Sequence, residues 1–122
     1  MQDRQAPIFD QTFAAFLTDL KERGLLDKTL VVAVGEFGRS PKINDKAGRD
    51  HWEHCYSGLL AGAGVKGGRV IGSSDAKGER PHDHPLTPAD LGATIHHCAG
   101  ITTEIAASLG LKIDGKVIET LF

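Results

Sequence analysis

The stretch Thr29-Leu30-Val31-Val32-Ala33-Val34 constrains the fold more than any other part of the chain. It is apolar at consecutive positions and rich in branched residues, so a strand built from it seeks cover on both faces. A run of this kind predicts a central strand of a parallel sheet. The residues ahead of it supply a covering layer. Phe9, Phe13, Phe16, Leu17 and Leu20 recur at helical spacing, Pro7 suits a first turn and Gly24 suits a stop, which together predict a helix over 8–23. A helix, a short connection through Asp27 and Lys28, and a doubly buried strand form half of an α/β unit. Sheets of this class bind ligands at the carboxyl ends of their strands, so the residues directly after Val34 are the first place to look for chemistry.

Further along, Tyr56 to Ala61 is a short apolar run, Gly62 to Gly68 a glycine-rich turn, and Val70-Ile71 a second short strand. Gly62 to Gly68 lacks the Lys-Ser/Thr ending of a phosphate-binding loop and reads as a plain turn. Thr87-Pro88-Ala89-Asp90 resembles a capping box with Asp in the usual Glu or Gln place. It opens a helix over about 88–99 that Gly100 ends. Lys112-Ile113, Asp114-Gly115 and Val117-Ile118 have the pattern of a small hairpin.

At 122 residues and 40% hydrophobic content the chain is one domain, 1–122, with a modest core. A net charge of −2 without a basic run argues against nucleic acid. The longest apolar stretch falls far short of the roughly 20 residues that cross a bilayer, and the start MQDRQAP has no signal-peptide core, so no membrane contact and no address are expected. Cys55 and Cys98 form no CxxC motif and read as two buried thiols.

After Val34 come Gly35-Glu36-Phe37-Gly38-Arg39-Ser40-Pro41-Lys42-Ile43-Asn44 and then Gly48-Arg49-Asp50-His51-Trp52. Glu36 at a strand end, followed by Asp50 and His51 across a glycine-flanked loop, offers oxygen and imidazole donors of the kind zinc, manganese or iron accept. The same residues also fit a structural reading, with Glu36 paired to Arg39 or Arg49 and His51 hydrogen-bonded beside Trp52. His82 and His84 sit in a loop among prolines. His96 and His97, neighbours on a helix, point about 100° apart and do not easily share an ion.

The blocks TLVVAVGEFGRSPKIN, GRDHW, LLAGAGVKGGRVIG and PADLGATIHHCAGI, in that order, resemble the sulfatase-like domain-of-unknown-function 1501 family of the alkaline-phosphatase superfamily, and the likeness covers nearly the whole chain. The opening FDQTFAAFLTDLKERGLLDKTL resembles the helix leading into that family's metal-site strand, and DGKVIETLF resembles its usual C-terminus. The resemblance implies an α/β fold: a partial alkaline-phosphatase/sulfatase-like sheet with flanking helices, the C-terminal portion of a larger one. It puts Glu36 where the superfamily has an Asp metal ligand and His51 in a position like that of a later His ligand. Phe37 stands in place of a His ligand, a departure usual for the family. Arg39, Arg49 and Asn44 become candidates for contact with a small anionic ester, since the Arg fork matches sulfate or phosphate.

The superfamily's nucleophile and further ligands, including an Asp-x-His-like element, come from segments that this chain does not contain. The expectation is therefore a divalent metal such as zinc at an incomplete site made from Glu36, Asp50 and His51, with no catalytic nucleophile. The function expected of full-length relatives is hydrolysis of sulfate or phosphate esters, with no activity in this chain alone. The alternative is a non-catalytic binding or assembly module that keeps the fold. Two structural expectations follow: Glu36 and His51 share one rim, and the chain forms a homo-oligomer that covers the sheet edge or the phenylalanine stripe.

Overall fold

The computed structural model describes residues 4–122. Helix α1 spans Gln5–Glu22, beginning ahead of the expected residue 8 and carrying Pro7 in its first turn. Gly24, at φ +67°, takes the left-handed conformation that lets the chain reverse, and the Leu25 N–H returns 2.8 Å to the Leu20 carbonyl. A single tight turn, Leu26–Lys28, then delivers the chain to strand β1, Val31–Val34.

The expected central parallel strand is not what forms. β1 pairs antiparallel with β4, Gly58–Ala61, in a sheet of two strands, with Val31 opposite Ala61 and Val34 opposite Gly58. The intervening residues fold into a ribbon of their own and hand the chain back in the reverse direction, and this sets the antiparallel sense. Val31, Val32 and Ala33 are half-buried and Val34 is 48% exposed, so the apolar run is covered only in part. Gly62, at φ +80°, closes the turn after β4. A β-carbon there would overlap the Thr29 carbonyl, so the position needs glycine for its conformation and for the close backbone approach.

Two more two-stranded antiparallel ribbons complete the strands. β2, Gly38–Arg39, pairs with β3, His51–Trp52, and β5, Ser73–Ser74, pairs with β6, Pro81–Asp83, across a bulge. The fold is thus mixed α/β with three small antiparallel sheets, and no alkaline-phosphatase-like sheet is assembled among the described residues. Val70-Ile71 is not a strand: Val70 is 94% exposed in an irregular connection. The glycine turn at 62–68 is a turn, as expected, and it grips the C-terminal residues. The Lys66 N–H and the Arg69 guanidinium both donate to the Leu121 carbonyl, at 2.8 and 3.0 Å.

Helix α2, Pro88–Cys98, starts at the anticipated capping box: the Thr87 hydroxyl accepts from the Asp90 N–H, and the Asp90 carboxylate accepts from the Thr87 N–H. A short helix, α3, Thr103–Ser108, follows, capped by Thr102; its sequence did not announce it. The tail is not a hairpin. Residues 115–118 lie extended along α2, where the Lys116 N–H donates to Asp90 Oδ1 at 2.8 Å and the Ile118 N–H donates to Thr94 Oγ1 at 3.0 Å. Two extended residues span about 6.6 Å and four helical residues about 6.0 Å, so side chains at i and i+4 of the helix meet alternate amides of the tail. A hairpin would leave those two amides to a second strand; here the helix satisfies them.

Asp90 therefore serves three donors, and its acidity records this. The Thr87 hydroxyl first, then the Lys116 N–H and the Thr87 N–H, hold its carboxyl below the usual range. A depressed folded-state pKa contributes stability that is present above the unfolded value of roughly 4 and is lost as pH falls through the folded value. The melting temperature should accordingly drop below about pH 4 more steeply in the wild type than in Asp90→Ala. The variant should start lower at pH 7, and the two curves should converge in acid. Parallel curves would remove the carboxylate from the account.

The closed core is small. Leu20, Ala93, Ala106, Ile118 and Leu121 are buried, together with the fully buried Thr94. Cys55 and Cys98 are free and half-buried, not fully buried. No helix among the described residues is long and apolar enough to cross a membrane.

Candidate functional site

The residues singled out after Val34 fall on an arm: the β2–β3 ribbon, which lies between β1 and β4 in the chain, the loop at its tip, and, for Glu36, the bend that leads from β1 into β2. The ribbon's register sets Gly38 opposite Trp52 and Arg39 opposite His51, and the Ser40 N–H extends the ladder to the Asp50 carbonyl at 2.9 Å. Gly38 is required by packing: a β-carbon would overlap the Cys55 carbonyl and press on Tyr56.

Asn44 organises the tip. Its Oδ1 accepts from the N–H groups of Lys46 and Gly48, each at 3.0 Å, and its Nδ2 donates to Asp50 Oδ1 at 2.8 Å. Both ends of the amide are thus engaged within the loop, so Asn44 holds Asp50 in place, a nearer task than meeting a ligand. Arg39 donates from Nη1 to the Arg49 carbonyl at 3.2 Å and rests 5.6 Å from the centre of the Phe37 ring. Its remaining guanidinium donors are uncommitted among the described contacts.

Phe37 has a role that its sequence position did not suggest. Its ring stacks on the His51 imidazole with centroids 3.7 Å apart and planes 26° apart. The residue in place of a metal-binding histidine thus becomes the platform on which His51 lies. Trp52, next in β3, is fixed from the other side: its indole N–H donates to the Glu79 carbonyl at 2.8 Å. Glu79 is held in a loop closed by Asp75, whose carboxylate accepts from the N–H groups of Lys77, Glu79 and Arg80. Those amides hold the Asp75 carboxyl's pKa below its ordinary value, the Glu79 N–H most of all. The spacing of Asp75 and Gly78 is a turn signature, which marks the turn and not the contact of Glu79 with Trp52.

Glu36 is exposed and forms no ion pair with Arg39 or Arg49 among the described residues, so the structural alternative for it is not realised. Asp50 and His51, adjacent along an extended chain, project to opposite faces of the ribbon. Among the described residues no group of three or more His, Cys, Asp and Glu side chains stands together as a metal would need. The donors of the arm therefore do not complete a metal site by themselves.

The other histidines are elsewhere. His84 pairs with Asp83 at 2.9 Å beyond β6, and His97 packs against Phe122 with ring centres 5.5 Å apart. His96 carries a buried Nδ1 without a partner. Burial pushes the Cys98 thiol up, which keeps it protonated and a poor nucleophile. A cleft of about 520 Å³ opens between α2, α3 and the tail, lined by Ala93, His97, Ile101, Glu104, Leu111 and Val117 among others. It contains none of the arm's residues, and its Glu104 carboxyl is held below the usual range by the Thr102 hydroxyl.

A family model described as "Protein of unknown function (DUF1501)" matches residues 1–122. No curated protein and no solved structure matches the chain.

Proposed function

The chain belongs to the DUF1501 family, and we propose that it is the ligand-presenting part of a metal-dependent hydrolase-like fold acting on sulfate or phosphate esters. In this reading Glu36 and His51 contribute donors to a divalent metal such as zinc, and Arg39 and Arg49 meet the anionic ester, with Asn44 steadying the loop through Asp50. The observation that carries it is the Phe37–His51 stack at 3.7 Å, which lays an imidazole against the segment leaving β1, one residue from the Glu36 carboxylate. Carboxylate and imidazole are donors zinc accepts, and guanidinium is the group that forks onto tetrahedral oxyanions. When bound, a metal would polarise the ester and lower the pKa of bound water. The chain's own residues bind and orient, because their donors do not complete the site.

The test has two arms. The chain should hydrolyse aryl sulfates and aryl phosphates no faster than the Glu36→Ala, His51→Ala double variant, whereas zinc affinity measured by equilibrium dialysis should fall about tenfold or more in that variant. Turnover abolished by the two substitutions would mean that the site is complete after all. Equal zinc uptake by both proteins would remove the metal role of the arm.

A second reading, a binding or assembly module without catalysis, is favoured by one observation. The chain exposes 9385 Å² of surface, where a compact monomer of its 13.0 kDa would expose roughly 6,300 Å². A fold of this kind does not by itself establish hydrolysis. The double variant separates the two readings, since an assembly module would lose neither zinc nor partners with Glu36 and His51.

A further inference from the structure

The ribbon and its tip loop, residues 38–52, are tied to the rest of the described chain by a single hydrogen bond. The ladder of β2 and β3 and the bonds of Arg39, Ser40, Lys42, Asn44, Lys46 and Gly48 all begin and end within the arm. The Trp52 indole N–H alone reaches out, to the Glu79 carbonyl at 2.8 Å. A two-stranded ribbon is marginal in water by itself. Whatever aims the Glu79 carbonyl therefore bears on where the residues of the arm stand.

The aim comes from Asp75. The hydrogen bonds that close the 75–80 loop begin or end on this residue. Its N–H donates to the Arg80 carbonyl at 2.8 Å and its carbonyl accepts from the Gly78 N–H at 3.0 Å. Its Oδ1 accepts from the N–H groups of Lys77 and Glu79, at 3.0 and 2.9 Å, and its Oδ2 from the Arg80 N–H at 3.0 Å. The last of these matters most for the arm. The Arg80 N–H and the Glu79 carbonyl belong to one trans peptide plane, in which the two groups point in opposite directions. With the N–H pinned on Asp75, the carbonyl is turned away from the loop and toward Trp52.

We infer that Asp75 is a positioning residue for His51, acting through the Glu79–Arg80 peptide and the Trp52 indole; its bearing on a metal rests on the reading of His51 as a donor of the arm. Trp52 and His51 are consecutive in β3 and so face opposite sides of the ribbon. A bond that fixes the back of so short a ribbon also fixes its front, where the imidazole lies 3.7 Å from the Phe37 ring and opposite Arg39. Asp75 touches neither donor nor ester and supplies no chemistry of its own. An exposed carboxylate gathering amides is ordinarily a turn device and nothing more. Here the peptide it orients takes the one bond that leaves the arm.

The position of His51 can be read without any metal. Its ring protons, shielded by Phe37, resonate upfield in the proton NMR spectrum and are identified by their loss in His51→Ala. Asp75→Asn keeps an oxygen for Lys77 and Glu79 but turns an amide donor toward the Arg80 N–H, so the turn stays while the peptide plane is released. In this variant the upfield shift of His51 should disappear. His97, beside Phe122 at 5.5 Å, should keep its own shift and report an intact remainder. Trp52→Phe, which retains a ring and loses the N–H, should displace His51 in the same way. The two substitutions together should move it no further than either alone, because they break one chain of contacts. Zinc affinity by equilibrium dialysis should fall about tenfold in each single variant. An unmoved His51 signal in either one, or effects that add in the double variant, would overturn the inference. So would unchanged zinc affinity in Asp75→Asn when the Glu36, His51 double variant binds zinc less. If that double variant binds zinc as the wild type does, the metal reading falls, and the His51 signal alone decides whether Asp75 places the ring.

Discussion

A methyl group at position 115 should release the C-terminal segment and cost the protein about 3–6 kcal/mol, a large part of the roughly 5–15 kcal/mol that holds a domain of this size. Gly115 lies against the first turn of α2 so closely that a β-carbon would overlap the Ala89 carbonyl and reach the Asp90 N. Backbone on both sides leaves no flexible side chain to give way. Moving the tail outward breaks the bonds from Lys116 N–H to Asp90 and from Ile118 N–H to Thr94, and it withdraws Ile118 and Leu121, 7% and 8% exposed, from the core. Each of those side chains is worth about 1.5–3 kcal/mol when buried, and their sum sets the magnitude. Urea denaturation of Gly115→Ala should show the loss, and hydrogen exchange should show the Ile118 amide deprotected. Gly67→Ala, where a β-carbon meets nothing within 4 Å, should stay within about 0.5 kcal/mol of the wild type. Equal midpoints for the two variants would contradict this account of the tail.

The features legible in the sequence were local ones. α2 could be read because Thr87 and Asp90 cap it through contacts three residues apart, and α1 because its phenylalanines repeat at helical spacing. The partner of β1 was not legible. An apolar run gives no direction to the strand beside it, and the antiparallel pairing with Gly58–Ala61 depends on how the residues between them fold. The tail misled for a related reason. Asp114-Gly115 flanked by apolar pairs is a hairpin pattern, but the amides of Lys116 and Ile118 found Asp90 and Thr94 instead, acceptors 26 and 24 residues away. At the site, periodicity located the segment that carries Glu36, Arg39, Asp50 and His51. It could not foresee that Phe37 would support His51 or that Trp52 would be tied to Glu79, because both contacts are set by ribbon register and a distant loop.

Gly38→Ala should open the arm while leaving the helices in place. The β-carbon would overlap the Cys55 carbonyl and lie 3.1 Å from Tyr56 Cβ, so β2 must move away from the chain that returns to β4. Overpacking of this sort costs about 1–3 kcal/mol. The arm has little to set against that cost, since its ladder joins Gly38–Arg39 to His51–Trp52 and gains one further bond, from the Ser40 N–H to the Asp50 carbonyl. Once β2 shifts, Arg39 no longer stands opposite His51, and the Phe37 ring leaves the imidazole it supports. Trp52, half-buried and the only tryptophan, loses its bond to the Glu79 carbonyl and enters water. Its emission should move to the red, with far-UV circular dichroism at the helical band nearly unchanged and zinc affinity down as far as in the Glu36, His51 double variant. Gly35→Ala is the comparison, because the nearest atom to its β-carbon, the Phe37 carbonyl oxygen, is at 3.4 Å and can yield by a few tenths of an ångström. It should keep the wild-type emission. If Gly38→Ala also keeps it, the arm is not braced against Cys55, and the geometry that presents His51 beside the strand end has a different support.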